Sequence, residues 1–367
     1  MTVAREEAPG LAVLKRSISV VDRGMVTRGA AIAGFLLIVL LVLPTAGNAW
    51  TKTFTGAAIS AVVAASLGIL YGRVGMISLG QIGMLVVATW IGARLSFATG
   101  LPFPVLLIVT GLITTVVGVI VGLPALRLSG LYLALITLMF AGAVTVIMNK
   151  FQFPNGGHGF VGHLSAIDVQ SIQGVRRPSI AHDDTAYFRY VVVVCALMFA
   201  LAIVHVSGKP GRAWKAIRAS EPAALAAGVN MTLYKMWAFA LASFMVGVAG
   251  GLNAAQLVQP SSQSFATVDS IILLATALIG GIFSFWGAIV AGAFRDVIPY
   301  LFTVNGIGGW RIHDVNIINI IFGVGLLQVL LTAPGGLAQQ FPKDMANLGR
   351  LLWRLGRRVL GRESGPA

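Results

Sequence analysis

The sequence predicts an all-α integral membrane protein, a polytopic bundle of about ten transmembrane helices. Three observations lead to this fold class. Of the 367 residues, 57% are hydrophobic and 10% are charged, whereas about a quarter of a soluble domain is charged. The mean hydropathy is +0.88. The chain also contains 44 glycines, which suit membrane helices because small residues let neighbouring helices approach closely.

Apolar segments recur along the whole chain, and about 20 residues of helix are needed to cross a bilayer. We predict spans over residues 30–43, 55–71, 76–93, 104–123, 130–148, 187–206, 236–258, 268–282, 285–302 and 315–331. Segments 55–71 and 268–282 are short or interrupted by glycine, which is tolerated where the backbone is buried in protein or lines a cavity. Segments 268–282 and 285–302 could be two full crossings or one broken helix.

Basic residues predict the orientation. With the N-terminus inside and ten crossings, most of the 26 Lys and Arg lie on the inner side of the plasma (inner) membrane. Residues 1–28 are then a cytoplasmic leader, 29–338 the transmembrane domain and 339–367 a basic cytoplasmic tail. Residues 150–186 form a long outer loop. The net charge of +14 lies between apolar segments and not on a soluble domain, so a nucleic-acid partner is not expected.

Residues 208–235 are the longest polar interruption in the second half of the chain. They carry five basic residues and one acid, Glu221. Residues 213–227 are rich in alanine, and Gly228 follows where a C′ glycine would end a helix. This pattern predicts a short amphipathic helix on the membrane surface. Such a helix could bind a soluble partner or simply contact lipid headgroups.

The same segment contains the pattern Gly211-Arg212-Ala213-x-x-Ala216-Ile217-Arg218-x-x-Glu221-x-Ala223-Ala224-x-x-x-Gly228-Val229-Asn230. It resembles the EAA loop of ATP-binding-cassette (ABC) importer permeases, in the form found in the branched-chain amino acid permease family of the LivM type. In that family the loop docks into a cleft of the cytoplasmic ATPase and transmits its closure to the membrane spans. The resemblance implies an ATPase-coupling role for Gly211, Arg212, Ala216, Arg218, Glu221, Ala223, Ala224 and Gly228.

Four further stretches are similar to the same family. They are residues 71–81, 126–138, 270–287 and 333–337. Together with the loop they follow the family's order and extend the resemblance over about residues 30–340. The sequence departs from the family pattern at Gln81, where the family has His, and at His158, where the family has an acid. These departures leave open a cargo other than an ordinary branched-chain amino acid, such as urea, a short amide or an aromatic acid.

The resemblance implies a transport subunit and not an enzyme. The chain has no G-x-x-x-x-G-K-[ST] phosphate loop, so ATP and Mg would bind to separate ATPase subunits and no cofactor is expected here. The five His lack metal-ligand spacing, and no metal or catalytic site is predicted. The implied partners are a second homologous permease, two cytoplasmic ATPases and an extracytoplasmic solute-binding protein. An ion-gradient-coupled transporter and a passive channel are the alternative classes.

Polar residues within the predicted spans are candidates for function because burying them is costly. Ser78, Gln81 and Ser284 could line a translocation path or form hydrogen bonds between helices. Arg295 and Asp296 are adjacent and are expected to pair structurally.

In the 208–235 segment, Arg212 and Arg218 are expected to share a helix face that meets acids on the partner. Glu221 either contacts the ATPase or balances nearby basic residues as a weak surface pair. The single cysteine, Cys195, is expected to be buried.

Overall fold

The structure is a computed structural model. It describes residues 36, 39–128, 130–151, 175, 177–257 and 267–302, together with 320, 323–325, 327–328, 331 and 336–338. The predicted leader, the basic tail and most of the outer loop lie outside these residues. The chain forms two compact units, Met1–Thr51 and Lys52–Ala367. In the first, a 3-10 turn at Leu43–Ala46 is followed by the start of a helix at Asn48.

Every regular element in the described residues is a helix, which confirms the predicted fold class. The α-helices are α1 (Asn48–Leu67), α2 (Gln81–Thr99), α3 (Phe103–Gly122), α4 (Gly130–Phe151), α5 (Asp184–Ser207), α6 (Lys209–Ala219), α7 (Glu221–Ala226), α8 (Met231–Leu257), α9 (Val268–Gly280) and α10 (Phe285–Tyr300). A π-helical turn, Gly68–Val74, continues α1. Within the described part, six helices are long and apolar enough to cross a membrane: α1 with its π-turn, α2, α3, α4, α5 and α8.

The predicted eighth and ninth spans form a hairpin of two short helices. At 1.5 Å per residue, the 13 residues of α9 extend about 20 Å and the 16 residues of α10 about 24 Å. The hydrocarbon core is about 30 Å thick, so neither helix, as described, crosses it alone. The predicted first and tenth spans lie largely outside the described residues.

Helix α8 is the centre of the bundle and packs against both α2 and α3. In α8, 83% of the most apolar 18-residue stretch is buried, whereas the corresponding fractions are 28% in α4 and 22% in α5. Small residues make the close approach possible: a Cβ added at Gly92 would lie 3.0 Å from the Cα of Gly251, and one at Gly247 would lie 2.6 Å from the Cα of Gly111. Close backbone approach is how helices pack where lipid removes the hydrophobic driving force between them.

The outer helices expose their large apolar side chains. Examples are Leu112, Val116, Leu135, Met139 and Leu197. Such surfaces are compatible with lipid or with a membrane-embedded partner, and they agree with the prediction of an integral membrane protein.

Candidate functional site: the α6–α7 face

Helix α6 lies on the bundle through an apolar face and presents a basic face outward. Gly211, Ala213, Trp214 and Ile217 are buried, whereas Arg212 and Lys215 are exposed. Trp214 is 0% exposed, and its indole Nε1–H donates to the backbone oxygen of Tyr234 at 2.8 Å. This bond fixes α6 to the first turn of α8. Trp214 was not among the residues selected from the sequence, although its spacing of three from Ile217 places both on one helix face.

The single helix predicted over residues 213–227 is wrong, because the chain forms two helices that meet at Ser220. Ser220 has extended backbone angles (φ −166°, ψ 117°), and its hydroxyl accepts the N–H of Ala223 at 3.4 Å. Pro222 explains the break. Its ring would clash with the preceding turn of a continuous helix, and it has no N–H to donate to the backbone oxygen of Arg218. The serine caps the second helix in its place.

Glu221 pairs within the chain. Its carboxylate lies 2.9 Å from Nζ of Lys235, whose side chain is 7% exposed, while that of Glu221 is 51% exposed. The pair joins the start of α7 to α8 and gives the buried ammonium its counter-ion. Of the two roles considered for Glu221, the pair shows charge balance, although with a buried partner and not at the surface. Contact with an ATPase stays a prediction. Removing Glu221 would leave a buried charge unpaired, which is costly.

Arg218 joins three segments that are far apart in sequence. Its Nη1 donates to the backbone oxygen of Gly72 at 2.6 Å, in the π-turn that ends α1. Its guanidinium carbon lies 4.6 Å from the ring centroid of Phe283, in the turn between α9 and α10. A hydrogen bond and a cation–π contact from one side chain thus link α6 to both elements.

The π-turn and the α9–α10 turn are also in direct backbone contact. A Cβ added at Gly72 would lie 2.5 Å from the backbone oxygen of Ile282, and one at Gly68 would lie 3.1 Å from the same atom. Gly336, at φ +80°, would bring a Cβ into collision with Gly281. Only glycine allows the first and last of these approaches.

Thr137 brings another of the selected stretches to this region. Its hydroxyl accepts the N–H of Leu79 at 2.8 Å and anchors the non-helical residues 75–80 to α4. The five stretches selected from the sequence are therefore linked by contacts: 71–81 to 126–138 through Thr137, and 71–81, 211–230, 270–287 and 333–337 through Arg218 and the glycines.

The three predicted path residues have different surroundings in the described part of the chain. Ser78 and Gln81 are buried, and Gln81 accepts a hydrogen bond from the Ser66 hydroxyl at 3.1 Å. Ser284 precedes α10 and lines a cleft with Gly68 and Phe283. A role for them in the path stays a prediction.

Comparison with known families identifies the chain. A family model described as "Branched-chain amino acid transport system / permease component" matches residues 49–307, well over half of the chain. The chain belongs to this family. No solved structure matches it.

Two relatives of this chain are both named high-affinity branched-chain amino acid transport system permease protein LivM. The protein of Salmonella typhimurium (strain LT2) is 28% identical over 256 residues, covering 64% of this chain and 59% of the relative. That of Escherichia coli (strain K12) is 28% identical over 282 residues, covering 70% and 65%. The matched region thus spans about three fifths of the length of these relatives.

The α6–α7 segment of the permease has an exposed patch, which we define as Arg212, Lys215, Ala223 and Leu225. Leu225 is 58% exposed although it is a large apolar residue in a polar segment. The expectation that Arg212 and Arg218 share a face is wrong: six positions at 100° per residue separate them by about 120°. Both residues are exposed, but Arg218 also contacts Gly72 and Phe283 of the membrane domain.

The remaining predicted coupling residues divide between the two sides of the segment. Gly211 is buried, and a Cβ there would collide with the backbone oxygen of Val206. Ala224 is the buried residue of α7. Ala216 is half-buried, while Ala223 and Gly228 are exposed. The two buried positions are thus packing positions, and the exposed ones are available to a partner.

Gly228 ends α7 as predicted. Its φ is +78°, its N–H donates to Leu225 O at 2.9 Å, and the N–H of Val229 donates to Ala224 O at 3.0 Å. These bonds form a Schellman motif. A β-branched residue in this conformation is strained by about 1–2 kcal/mol, so Gly228→Val should speed amide hydrogen exchange over residues 224–229 by roughly tenfold. Gly228→Asn, which tolerates the left-handed region, should exchange nearly as slowly as the wild type; equal exchange in both variants would contradict this role.

Proposed function

We propose that this chain is the membrane permease subunit of an ATP-driven ABC importer for a branched-chain amino acid or a related small polar solute. The observation that supports this most strongly is the linkage of the family-like stretches at the α6–α7 face. There a basic segment with an exposed apolar residue is tied through Arg218 to membrane helices. In this proposal the α6–α7 face is cytoplasmic and binds the ATPase, while urea, short amides or aromatic acids are the alternative cargoes.

Packing at the helix ends supports the proposed orientation. Phe239, near the start of α8, contacts Gly122 at the end of α3, and Gly72 near the end of α1 contacts the α9–α10 turn. These ends therefore lie on the same side as α6, as the sequence-based topology requires. Arg73 and Arg127 lie at the same ends, in agreement with the positive-inside rule. In this proposal these ends are cytoplasmic, and with ten crossings of the plasma membrane both termini would be cytoplasmic as well.

Movement would be transmitted through two contacts of different kinds. The buried Trp214 makes α6 and the start of α8 move as one body. Arg218 transmits this movement to the π-turn and to the α9–α10 turn. ATPase closure would then bias the spans between two states, since a partner shifts an equilibrium only through contacts that differ between those states.

The other parts of the transporter would be separate chains. Two ATPases would hold ATP and Mg, a second homologous permease would complete the path, and a solute-binding protein would deliver cargo at the opposite face. These assignments rest on the family resemblance.

A pull-down of the full chain from mild detergent tests ATPase docking. We expect the wild type to recover an ATPase of its own host, and Leu225→Asp to reduce that recovery by about tenfold or more, because a charge would replace an apolar contact at the interface. Leu233→Asp is the matched control: Leu233 is also an exposed leucine, 55% exposed in the first turn of α8, and lies outside the exposed patch.

Substitution of Glu221 is a poorer test, because it would leave the buried Lys235 without its counter-ion and alter folding as well as docking. Failure of the inserted wild-type chain to bring down any ATPase would contradict the importer. Uptake by this chain alone in proteoliposomes, driven by a sodium or proton gradient, would then favour the ion-coupled alternative.

A further inference from the structure

A basic cleft lies between α6 and the end of the π-turn. Its volume is about 340 Å³, and it is lined by Gly72, Arg73, Lys215, Arg218 and Ala219. Three of these residues are cations and none is an acid. Sites for small molecules usually measure about 300–1,000 Å³, so the cleft has room for a small anionic group. We call it the Arg73 cleft.

Aromatic rings hold the two arginines of the cleft in place. The guanidinium carbon of Arg73 lies 5.7 Å from the ring centroid of Phe285, the first residue of α10. That of Arg218 lies 4.6 Å from the ring centroid of Phe283, two positions earlier in the chain. A short stretch at the start of α10 therefore positions two planar cations beside the same cleft.

No acid balances this charge within the described part of the chain. The ion pairs there involve Lys52, Arg177 and Lys235, and none involves a side chain of the cleft. The charge of Arg218 acts repulsively on Arg73. Arg73 is also half-buried, so water screens this repulsion only in part. An anion between the two guanidinium groups would turn the repulsion into attraction.

The side chains of the cleft suit a phosphate. A guanidinium has five N–H donors in a planar fork that matches phosphate oxygens. Arg218 uses one nitrogen, Nη1, on the backbone oxygen of Gly72, which leaves the donors of its other nitrogens for a ligand. Lys215 adds a flexible point charge at the edge of the cleft.

The cleft lies at the depth of lipid headgroups. Arg73 is the last residue but one of the helix Asn48–Val74, whose 27 residues extend about 40 Å. The hydrocarbon core is about 30 Å thick, so the end of this helix lies beyond it. Trp286, which follows Phe285, is 49% exposed and is of a residue type that is enriched at membrane interfaces.

The cleft is also turned away from the surface proposed for the ATPase. Arg218 lies about 120° around α6 from Arg212 of the exposed patch, on the side that contacts the π-turn. Lys215 lies between the two and borders both surfaces. The cleft is therefore on the membrane side of α6, which favours a lipid over a soluble protein as the source of the anion.

We propose that the Arg73 cleft binds the phosphate group of an anionic phospholipid in the leaflet next to α6. The site rests on the geometry and the charge of the cleft. Only the identity of that leaflet, the cytoplasmic one, rests on the proposed function. Basic pockets beside membrane helices on this side suit anionic headgroups. A bound lipid would neutralise the two arginines and strengthen the contact between α6 and the π-turn.

Native mass spectrometry of the full chain, purified alone in mild detergent, tests lipid binding without an ATPase or cargo. Palmitoyl-oleoyl phosphatidylglycerol and phosphatidylcholine have the same acyl chains, and only the first is anionic. We expect the wild type to bind the anionic lipid at least about tenfold more tightly. Arg73→Gln should weaken this binding about fivefold, the usual contribution of one basic residue near anionic lipid, while Arg73→Lys should retain most of it.

Arg127→Gln is the matched control, because Arg127 is an exposed arginine at the same side of the membrane and does not line the cleft. It should bind phosphatidylglycerol as the wild type does. Lys215→Gln gives an independent result if Arg73→Gln fails to fold, since Lys215 is exposed, and it should also weaken binding about fivefold.

Four results would overturn the proposal. They are equal wild-type affinity for the two lipids, equal loss of binding in the Arg73 and Arg127 variants, unchanged binding in the Lys215 variant, and competition by soluble glycerol phosphate as strong as that by the lipid. The last would indicate a site for a free phosphate. Loss of ATPase recovery in Arg73→Gln with unchanged lipid binding would assign the cleft to the ATPase instead. Failure of lipid binding alone leaves the proposed importer intact, because neither ATPase nor cargo takes part in the assay.

Discussion

Replacing Arg218 with alanine should reduce cargo uptake by an order of magnitude or more while leaving ATPase recovery close to that of the wild type. The substitution removes both the 2.6 Å hydrogen bond to Gly72 and the cation–π contact with Phe283. The exposed patch and the Trp214 anchor are untouched, so the ATPase still has its binding surface. Uptake of labelled leucine in a host lacking the native gene, measured beside the pull-down, separates the two effects.

Two variants on the same helix make this result specific. Arg218→Lys keeps the charge and can reach a carbonyl oxygen, but it lacks the planar guanidinium that stacks on a ring, so intermediate uptake is expected. Arg212→Ala should show the opposite pattern. Arg212 is exposed within the patch and is not the residue that contacts Gly72 and Phe283, so its loss should weaken ATPase recovery and lower uptake by the same factor. Normal uptake by Arg218→Ala would show that movement reaches the spans by another route, such as Trp214 and α8.

The sequence predicted the features that depend on local composition. The membrane class, the six long spans and the C′ glycine at residue 228 follow from apolar runs and from backbone preferences within a few residues. The resemblance also selected Arg218 and the glycines at 72 and 281. The sequence could not pair them, since Arg218 and Gly72 are 146 positions apart and no local pattern encodes that contact.

Other features were missed for identifiable physical reasons. Arg94 is fully buried, but the predicted span ended at residue 93 because a charge usually marks a helix end; α2 continues to Thr99. The break at Ser220 was hidden by the high helix propensity of the alanines around Pro222. Asp296 was expected to pair with Arg295, and Arg295 does act on its carboxylate, but the hydrogen bond between Asp296 and Ser60 of α1 was not predicted.

The close packing of α8 should make Gly250 intolerant of even one methyl group. A Cβ at this position would collide with the Cβ of Ala88 and lie 2.8 Å from the backbone carbon of Ala88 and the nitrogen of Thr89. Because these are mostly backbone atoms, no rotamer change can make room and α2 must move away from α8. Gly250→Ala should therefore lower the free energy of unfolding by about 1–3 kcal/mol, the usual cost of overpacking a core. The melting temperature of the full chain in one detergent would measure it.

The direction of this effect is decided by the neighbouring atoms and not by helix propensity. Alanine is favoured over glycine in a helix by about 1 kcal/mol, so a glycine with free space should become slightly more stable when substituted. Gly142→Ala meets that condition, because its Cβ would lie 3.7 Å from the Thr267 side chain. The two variants make the same chemical change in spans of the same bundle, and their melting temperatures should shift in opposite directions. A rise in both would mean that α2 and α8 are farther apart than the structure has them, and that α8 is not the tightly packed centre of the bundle.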